Sequence, residues 1–143
     1  MQSVSLDGVV HDTPVLEQPV EVTGPIEVTL YAATTAPDTD FTAKLVDVHP
    51  DGKAYNLNNG IIRARLRNSL ERAEAIEPGQ ATEYRIGIWP TSNLFKEGHR
   101  IRLEISSSNF PHYDRNPNTG HEFGQDAEMR VADQTIFHDR DRP

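Results

Sequence analysis

The stretch 25-PIEVTLYAAT-34 decides the fold class of this chain. Its apolar side chains recur at every second position, and polar side chains occupy most positions between them. Successive side chains of a β-strand point to opposite faces, so a period of two predicts a strand with one dry face and one wet face. The dry face would hold Ile26, Val28, Leu30 and Ala32.

The same alternation recurs in 60-GIIRARLRNS-69, 83-EYRIGIW-89 and 99-HRIRLEIS-106. The turn sequences 49-HPDG-52 and 77-EPGQ-80 separate these runs, with proline to fix φ and glycine to supply positive φ. Only the stretch 69–77 could hold a helical turn, and Pro78 would end it. Strands are predicted at 26–34, 41–49, 54–67, 82–89, 100–108 and 129–138, with a weaker candidate at 14–23.

Many short strands and almost no helix indicate an all-β protein, with antiparallel sheets in a jelly-roll β-sandwich that spans 1–143 as one domain. With 14 basic and 22 acidic side chains, the net charge of -8 argues against nucleic acid or an anionic membrane as a partner. No window supplies the roughly 20 apolar residues of a membrane span. The N-terminus lacks the apolar core of a signal peptide, which weighs slightly toward a cytoplasmic location.

The chain carries few signatures of chemistry. No glycine precedes a serine in the Gly-x-Ser-x-Gly spacing of a nucleophile elbow, so no catalytic residue is expected. There is no cysteine, and the six histidines lack the His-Glu-x-x-His spacing, so neither a metal site nor a cofactor is expected. Asp38 and Asp40, with Asp51 of the 49–52 turn, could contribute to a calcium site, but a solvated acidic loop is the favoured interpretation.

Two further features, an arginine stripe and a tryptophan, allow two interpretations each. Arg63, Arg65 and Arg67 could bind an acidic partner or a substrate carboxylate, although the wet face of a strand is favoured. Trp89 could stack on a sugar ring, although a core or interface position is favoured.

The loop 105-ISSSNFPHYDRNPNTG-120 follows the last well-patterned strand. Asn and Asp can close local turns and proline restricts the unfolded chain, so the loop is predicted to be rigid. Its mixture of aromatic and polar groups is typical of protein interfaces. We therefore predict a domain-docking loop, formed by Ser108, Asn109, Phe110, Tyr113, Asp114, Arg115 and Asn116.

Three blocks in this region resemble a known family: 38-DTDFTAKLVDVHPDGKAYNLNNGIIRARLRNS-69, 91-TSNLFKEGHRIRLEISSSNFPHYDRNPNTG-120 and 134-QTIFHD-139. They are similar to the C-terminal, non-catalytic domain of the X-prolyl dipeptidyl-peptidase family. That family also includes bacterial cocaine esterases, α-amino acid ester hydrolases and glutaryl-cephalosporin acylase-like proteins. The resemblance runs from about Pro19 to Asp139.

The resemblance implies a galactose-binding-domain-like fold and an accessory role in a serine hydrolase of peptide, amide or ester bonds. The partners it implies are the α/β-hydrolase domain, which carries the catalytic triad, and a helical cap. It also implies that the chain is a fragment whose final strand is missing, so that a homo-oligomer could form through an unpaired sheet edge. A free-standing carbohydrate-binding module, using Trp89, Phe110 and Tyr113, is the alternative.

Overall fold

The computed structural model describes residues 2–4 and 8–142. Its strands form two four-stranded sheets, ordered β1-β8-β3-β6 and β2-β7-β4-β5, in which every pairing is antiparallel. No helix in this part of the chain is long and apolar enough to cross a membrane. The strands are β1 Gln2–Val4, β2 Val9–Asp12, β3 Val20–Thr34, β4 Asp40–Val48, β5 Ala54–Arg63, β6 Thr82–Phe95, β7 Arg100–Ser106 and β8 Gln134–Phe137.

The apolar positions of the alternating stretches meet between the two sheets. Leu30 and Ala32 of β3 and Ile86 of β6 are buried there, and Phe41 of β4 packs against Tyr84 of β6 with 4.8 Å between ring centroids. Burial raises the pKa of the Tyr84 phenol because the anion would be poorly solvated. The prediction of an all-β protein with antiparallel sheets is confirmed; the jelly-roll type stays a prediction.

Two edge strands, β5 and β6, approach each other closely at Gly60. A Cβ added to Gly60 would lie 2.1 Å from the carbonyl oxygen of Gly87, far inside van der Waals contact. The same addition at Gly87 would meet nothing within 4 Å. Only a residue without a side chain therefore fits at position 60, and the two sheets touch at this point.

Strand β6 is longer than the predicted 82–89 and continues past Pro90 to Phe95. A register shift lies here, because Gly24 pairs with Thr91 while Ile26 pairs with Ile88. One residue of β3 thus opposes two of β6, and a bulge on an edge strand is where proline is tolerated.

The predicted 54–67 strand is too long, because β5 ends at Arg63 and a 3-10 turn, Ala64–Leu66, follows. The helical turn predicted over 69–77 is also wrong. The Arg67 guanidinium donates to the carbonyl groups of Ala64, Glu74 and Ala75 and holds this segment in an irregular course.

Two further predicted strands differ from the observed ones only in their bounds. The weak 14–23 candidate contains only the start of β3, and the 129–138 run contains the shorter β8. Strands β1 and β2 were not predicted, because their sequences are too short to show a period.

Candidate functional site

Two buried carboxylates lie at the start of β4. Asp38 and Asp40 are each only 1% exposed, so the interpretation of a solvated acidic loop is wrong. The register of the sheet explains their burial, since Asp40 of β4 pairs directly with Arg63 at the end of β5. A buried carboxylate requires such a partner, because burying an unpaired charge costs several kcal/mol.

The arginines supply the compensating charge. Arg63 donates from Nε and Nη2 to the two oxygens of Asp40, at 2.8 and 3.0 Å. This bidentate bond raises the pKa of the Arg63 guanidinium. Arg65 donates its backbone N–H to Asp38 Oδ1 at 3.1 Å, and its Nε lies 3.1 Å from Asp38 Oδ2. The interpretation of the arginines at 63, 65 and 67 as the solvated face of a strand is therefore wrong.

Asn116 joins the predicted loop to these charges. Its side-chain amide donates to Asp38 Oδ2 at 3.0 Å and to Asp40 Oδ1 at 2.9 Å, and its own oxygen accepts the backbone N–H of Asn118. We call the group formed by Asp38, Asp40, Arg63, Arg65 and Asn116 the Asp–Arg network. The network fixes the base of the loop to the sheet that contains β4 and β5.

The loop has a second anchor at Tyr113. The Tyr113 hydroxyl donates to Asn59 Oδ1 at 2.8 Å, and the Tyr113 backbone N–H donates to the Asn109 carbonyl at 3.1 Å. Above these anchors Phe110 is 56% exposed, with the Arg115 guanidinium 4.6 Å from its ring centroid. The loop thus has a fixed base and an exposed aromatic–arginine tip.

The structure divides the seven predicted docking residues into two groups. Asn109, Tyr113 and Asn116 are partly buried and hold the base of the loop, whereas the others lie at its surface: Ser108, Phe110, Asp114 and Arg115. The docking role itself stays a prediction.

A shallow groove of about 200 Å³ lies beside the loop and is lined by residues of the 114–124 segment and by Arg63 and Arg65. Phe123 lies in its wall, with the guanidinium groups of Arg65 and Arg63 at 3.8 and 4.4 Å from its ring centroid. Pockets for small molecules usually measure about 300 Å³ or more. The groove therefore fits a few side chains of a partner better than a whole substrate.

His121, which lines the groove, forms a pair with Asp126. Asp126 accepts hydrogen bonds from the Thr119 hydroxyl and, at 2.8 Å, from His121 Nδ1. The Thr119 bond is the main reason that the pKa of Asp126 is lowered, and His121 adds to it. Within residues 8–142, no serine hydroxyl forms a hydrogen bond with a histidine, so this pair lacks the nucleophile of a triad.

Trp89 lies apart from the core. It is 73% exposed in the bulged part of β6, so its interpretation as a core residue is wrong, whereas an interface position stays a prediction.

Sequence reasoning missed that Asp38, Asp40, Arg63, Arg65 and Phe123 form one site. Acidic residues just before the predicted strand 41–49 and arginines within the predicted strand 54–67 were a usable signal, because cross-strand pairs of opposite charge stabilise a sheet. Phe123 offered no such signal, since it lies in a loop without a pattern.

The chain matches known proteins over nearly all its length. Residues 3–143 match the family model described as the X-Pro dipeptidyl-peptidase C-terminal non-catalytic domain. A cocaine esterase from Rhodococcus sp. (strain MB1 Bresler) is 53% identical over 114 residues, which cover 80% of this chain. The chain spans only 20% of that esterase's length.

Two solved structures also superpose on this chain. An aminopeptidase from the marine sediment archaeon Thaumarchaeota archaeon superposes with a TM-score of 0.89 at 34% identity. The superposition covers 96% of this chain and 24% of the aminopeptidase chain. An α-amino acid ester hydrolase superposes with a TM-score of 0.89 at 28% identity and the same coverage.

These relatives give the carbohydrate-binding alternative no support. The family match spans both sheets and the Asp–Arg network, and the family is non-catalytic by description. The chain belongs to the family of X-Pro dipeptidyl-peptidase C-terminal non-catalytic domains.

Proposed function

We propose that this chain is the accessory C-terminal β-sandwich domain of a serine hydrolase that cleaves peptide, amide or ester bonds. The single observation that carries this proposal is the match of residues 3–143 to a non-catalytic domain of such enzymes. Both relatives are much longer than this chain, because the matched region is about a fifth of the esterase and 24% of the aminopeptidase. The catalytic residues would lie on the α/β-hydrolase domain.

The docking surface in this proposal is the tip of the 108–116 loop together with the groove beside it. Phe110 and Phe123 are 56% and 50% exposed, and each has an arginine guanidinium against its ring. Exposed aromatic and arginine side chains are the groups that contribute most to protein interfaces. The Asp–Arg network would hold them in place before docking, which lowers the entropy lost on association.

A chimaeric enzyme tests this proposal. The region of the Rhodococcus cocaine esterase that matches this chain would be replaced by residues 1–143, and ester hydrolysis and thermal unfolding would be measured. We expect the chimaera to retain activity, whereas the esterase lacking the region loses it. A chimaera that folds and is inactive would contradict an accessory role in this class of hydrolase.

A pair of variants in the chimaera tests the surface. Phe110→Ser should lower the unfolding temperature or the activity of the chimaera and leave the isolated chain unchanged, because the side chain is exposed until it docks. Trp89→Ser is the matched control, since Trp89 is an exposed aromatic outside the loop. If the control is the damaging change, the docking face lies on β6 instead.

Self-association through a sheet edge stays a separate prediction. Edge strand β6 exposes Trp89 and Leu94, at 73% and 53%, so it is the edge to test. Sedimentation of the isolated chain over a range of concentrations would show a dimer that Trp89→Lys removes. A monomer at every concentration would contradict it.

A further inference from the structure

A second cluster of ionisable side chains lies at the opposite end of β4. Asp47, His49 and His99 place potential ligand atoms within 4.8 Å of one another. We call these three residues the Asp–His cluster. None of them belongs to the Asp–Arg network or to the docking surface, so the function proposed above does not account for them.

The cluster lies on the inner face of its sheet. Phe41, Ala43 and Leu45 occupy alternate positions of β4 and face the core, and Asp47 follows at the same period of two. His49 comes two residues later, and His99 directly precedes Arg100, which pairs with Val48. A carboxylate and two imidazoles therefore occupy positions where the core would ordinarily end in apolar side chains.

The distances bring the two imidazoles to the two oxygens of one carboxylate. His99 Nδ1 lies 2.8 Å from Asp47 Oδ1, and His49 Nε2 lies 3.5 Å from Asp47 Oδ2. The two imidazole rings are 4.2 Å apart at their centroids and inclined by 41°. In a tetrahedral site with bonds of 2.0–2.2 Å, neighbouring ligand atoms are about 3.3–3.6 Å apart. The separation of His49 from Asp47 Oδ2 has this value, whereas the separation of His99 from Asp47 Oδ1 is shorter and would open by about 0.5 Å.

The surroundings of the cluster combine fixed ligands with access from solvent. Asp47 and His99 are each 7% exposed, while the His49 side chain is 37% exposed and opens the cluster to solvent. Backbone hydrogen bonds fix both turns: His49 with Lys53, at 2.8 Å, and His99 with Leu16, at 2.9 Å. An ion could therefore enter past His49 and find its ligands already placed.

The donor set selects the class of ion. Calcium and magnesium prefer oxygen ligands alone, whereas two imidazole nitrogens and one carboxylate suit zinc and its neighbours. We propose that Asp47, His49 and His99 bind a divalent transition-metal ion, with Zn²⁺ as the best match and water completing the coordination. The ion would take the place of the hydrogen bond between His99 Nδ1 and Asp47 Oδ1.

The role of this site is structural. His49 belongs to the turn between β4 and β5, and His99 to the turn between β6 and β7. These turns already touch, since a Cβ added to Gly98 would lie 3.3 Å from Pro50 Cγ. A shared ion would lock the two turns together and stabilise this end of the sandwich.

The test uses the full chain without a histidine tag, stripped of metal by a chelator that is then removed. Titration calorimetry with Zn²⁺ should give one site per chain, and Zn²⁺ should raise the unfolding temperature. Co²⁺ should give the intense visible absorption of a tetrahedral complex. His49→Gln should weaken Zn²⁺ binding at least about tenfold, because even the loss of an outer-shell partner of a metal ligand costs about 10–100-fold. The metal-free variant should stay folded, because His49 is partly exposed.

His138→Gln is the matched control. His138 forms a separate histidine pair, with 5.3 Å between its ring centroid and that of His11. The control should bind Zn²⁺ as the unmodified chain does. Three results would each overturn the proposal: no stoichiometric binding up to millimolar Zn²⁺, equal affinity in His49→Gln, or affinity lost in His138→Gln. An octahedral cobalt spectrum would do the same.

Discussion

The two ends of β4 carry the same chemical group, a buried aspartate, and differ in what surrounds it. At the first end Asp40 accepts two hydrogen bonds from Arg63, at 2.8 and 3.0 Å. At the second end Asp47 accepts one from His99 at 2.8 Å, with His49 3.5 Å away. Arginine is always charged and only donates, whereas histidine can be neutral and offer a lone pair.

This difference separates two uses of a buried carboxylate. The Asp–Arg network joins permanent charges of opposite sign and uses its remaining acceptor capacity to hold Asn116 and the docking loop. Its charges are neutralised within the chain, which suits a fixed support. The Asp–His cluster keeps nitrogen donors that a metal ion could use. The partner of the carboxylate, and not its burial, therefore decides what each end of β4 can do.

The largest effect is expected midway between the two ends, at Gly60, which pairs with Ala43 of β4. Gly60→Ala should lower the free energy of unfolding by about 3 kcal/mol or more, because its methyl group overlaps the Gly87 carbonyl. Urea unfolding measures this. Gly87→Ala, at an open position, is the control and should change stability by less than about 1 kcal/mol. Equal losses in the two variants would contradict the close approach of β5 and β6.

A pair of isosteric substitutions compares the two ends directly. In metal-free buffer, Asp40→Asn should cost about 3 kcal/mol of unfolding free energy, because Arg63 keeps its charge and loses its bidentate carboxylate partner. Asp47→Asn should cost only about 1 kcal/mol, since both histidines can be neutral and an amide oxygen still accepts a hydrogen bond. Chemical denaturation of both variants supplies the numbers. The reverse order would show that the second end, too, depends on a permanent charge.

A smaller effect is expected for the link between the Asp–Arg network and the loop. Asn116→Ala should cost about 1–2 kcal/mol, because two buried carboxylates each lose a hydrogen bond. Amide hydrogen exchange should accelerate mainly over residues 108–124. Asn68→Ala is the matched control, because the Asn68 amide makes one exposed bond, to Glu74. Unchanged exchange in the loop would mean that Tyr113 alone anchors it.

The smallest effect is expected for an exposed aspartate–arginine pair, which shows what burial adds. Asp12 accepts 2.7 and 2.9 Å bonds from Arg102, and the hydrogen bond is the main reason that its pKa is lowered from 3.8. Asp12→Asn should cost less than about 1 kcal/mol at neutral pH, as exposed pairs do.

The sign of the pH dependence at Asp12 follows from the lowered pKa. The folded protein binds the proton less tightly than the unfolded chain, so the stabilisation is complete above the unfolded pKa and disappears as pH falls through the folded one. The stability difference between the unmodified chain and Asp12→Asn should be constant near neutral pH and shrink below about pH 5. A difference that grows on acidification would contradict the pairing.

Local pattern predicted much of the fold and little of the site. The alternation around Leu30 and Ile86 predicted strands with the correct buried face, because the period of two is a property of the extended backbone itself. The helical turn over 69–77 failed because Arg67, from outside that segment, binds its carbonyl groups. Helix propensity is a property of the segment alone, whereas here hydrogen bonds from Arg67 decide the conformation of the segment.

The features of the docking loop were predicted only in part. Its composition predicted a rigid loop with exposed aromatic and polar groups, and Phe110 and Arg115 are exposed as expected. That Asn116 would bind two buried carboxylates was not predictable, because Asp38 and Asp40 had been interpreted as solvated. An aspartate carries the same charge on a surface or in a core, and only its partners show which position it occupies.

The sequence by itself determined the all-β class, the inward faces of the main strands and the resemblance to a non-catalytic hydrolase domain. These properties depend on local periodicity and on runs of residues that stand next to one another. The tertiary structure alone decided which distant side chains meet. Asp40 and Arg63 lie 23 positions apart and Asp47 and His99 lie 52 apart, and they touch because the register of β4 with β5 and β7 brings their ends together. Register is set by the packing of whole strands, so no short stretch of sequence contains it.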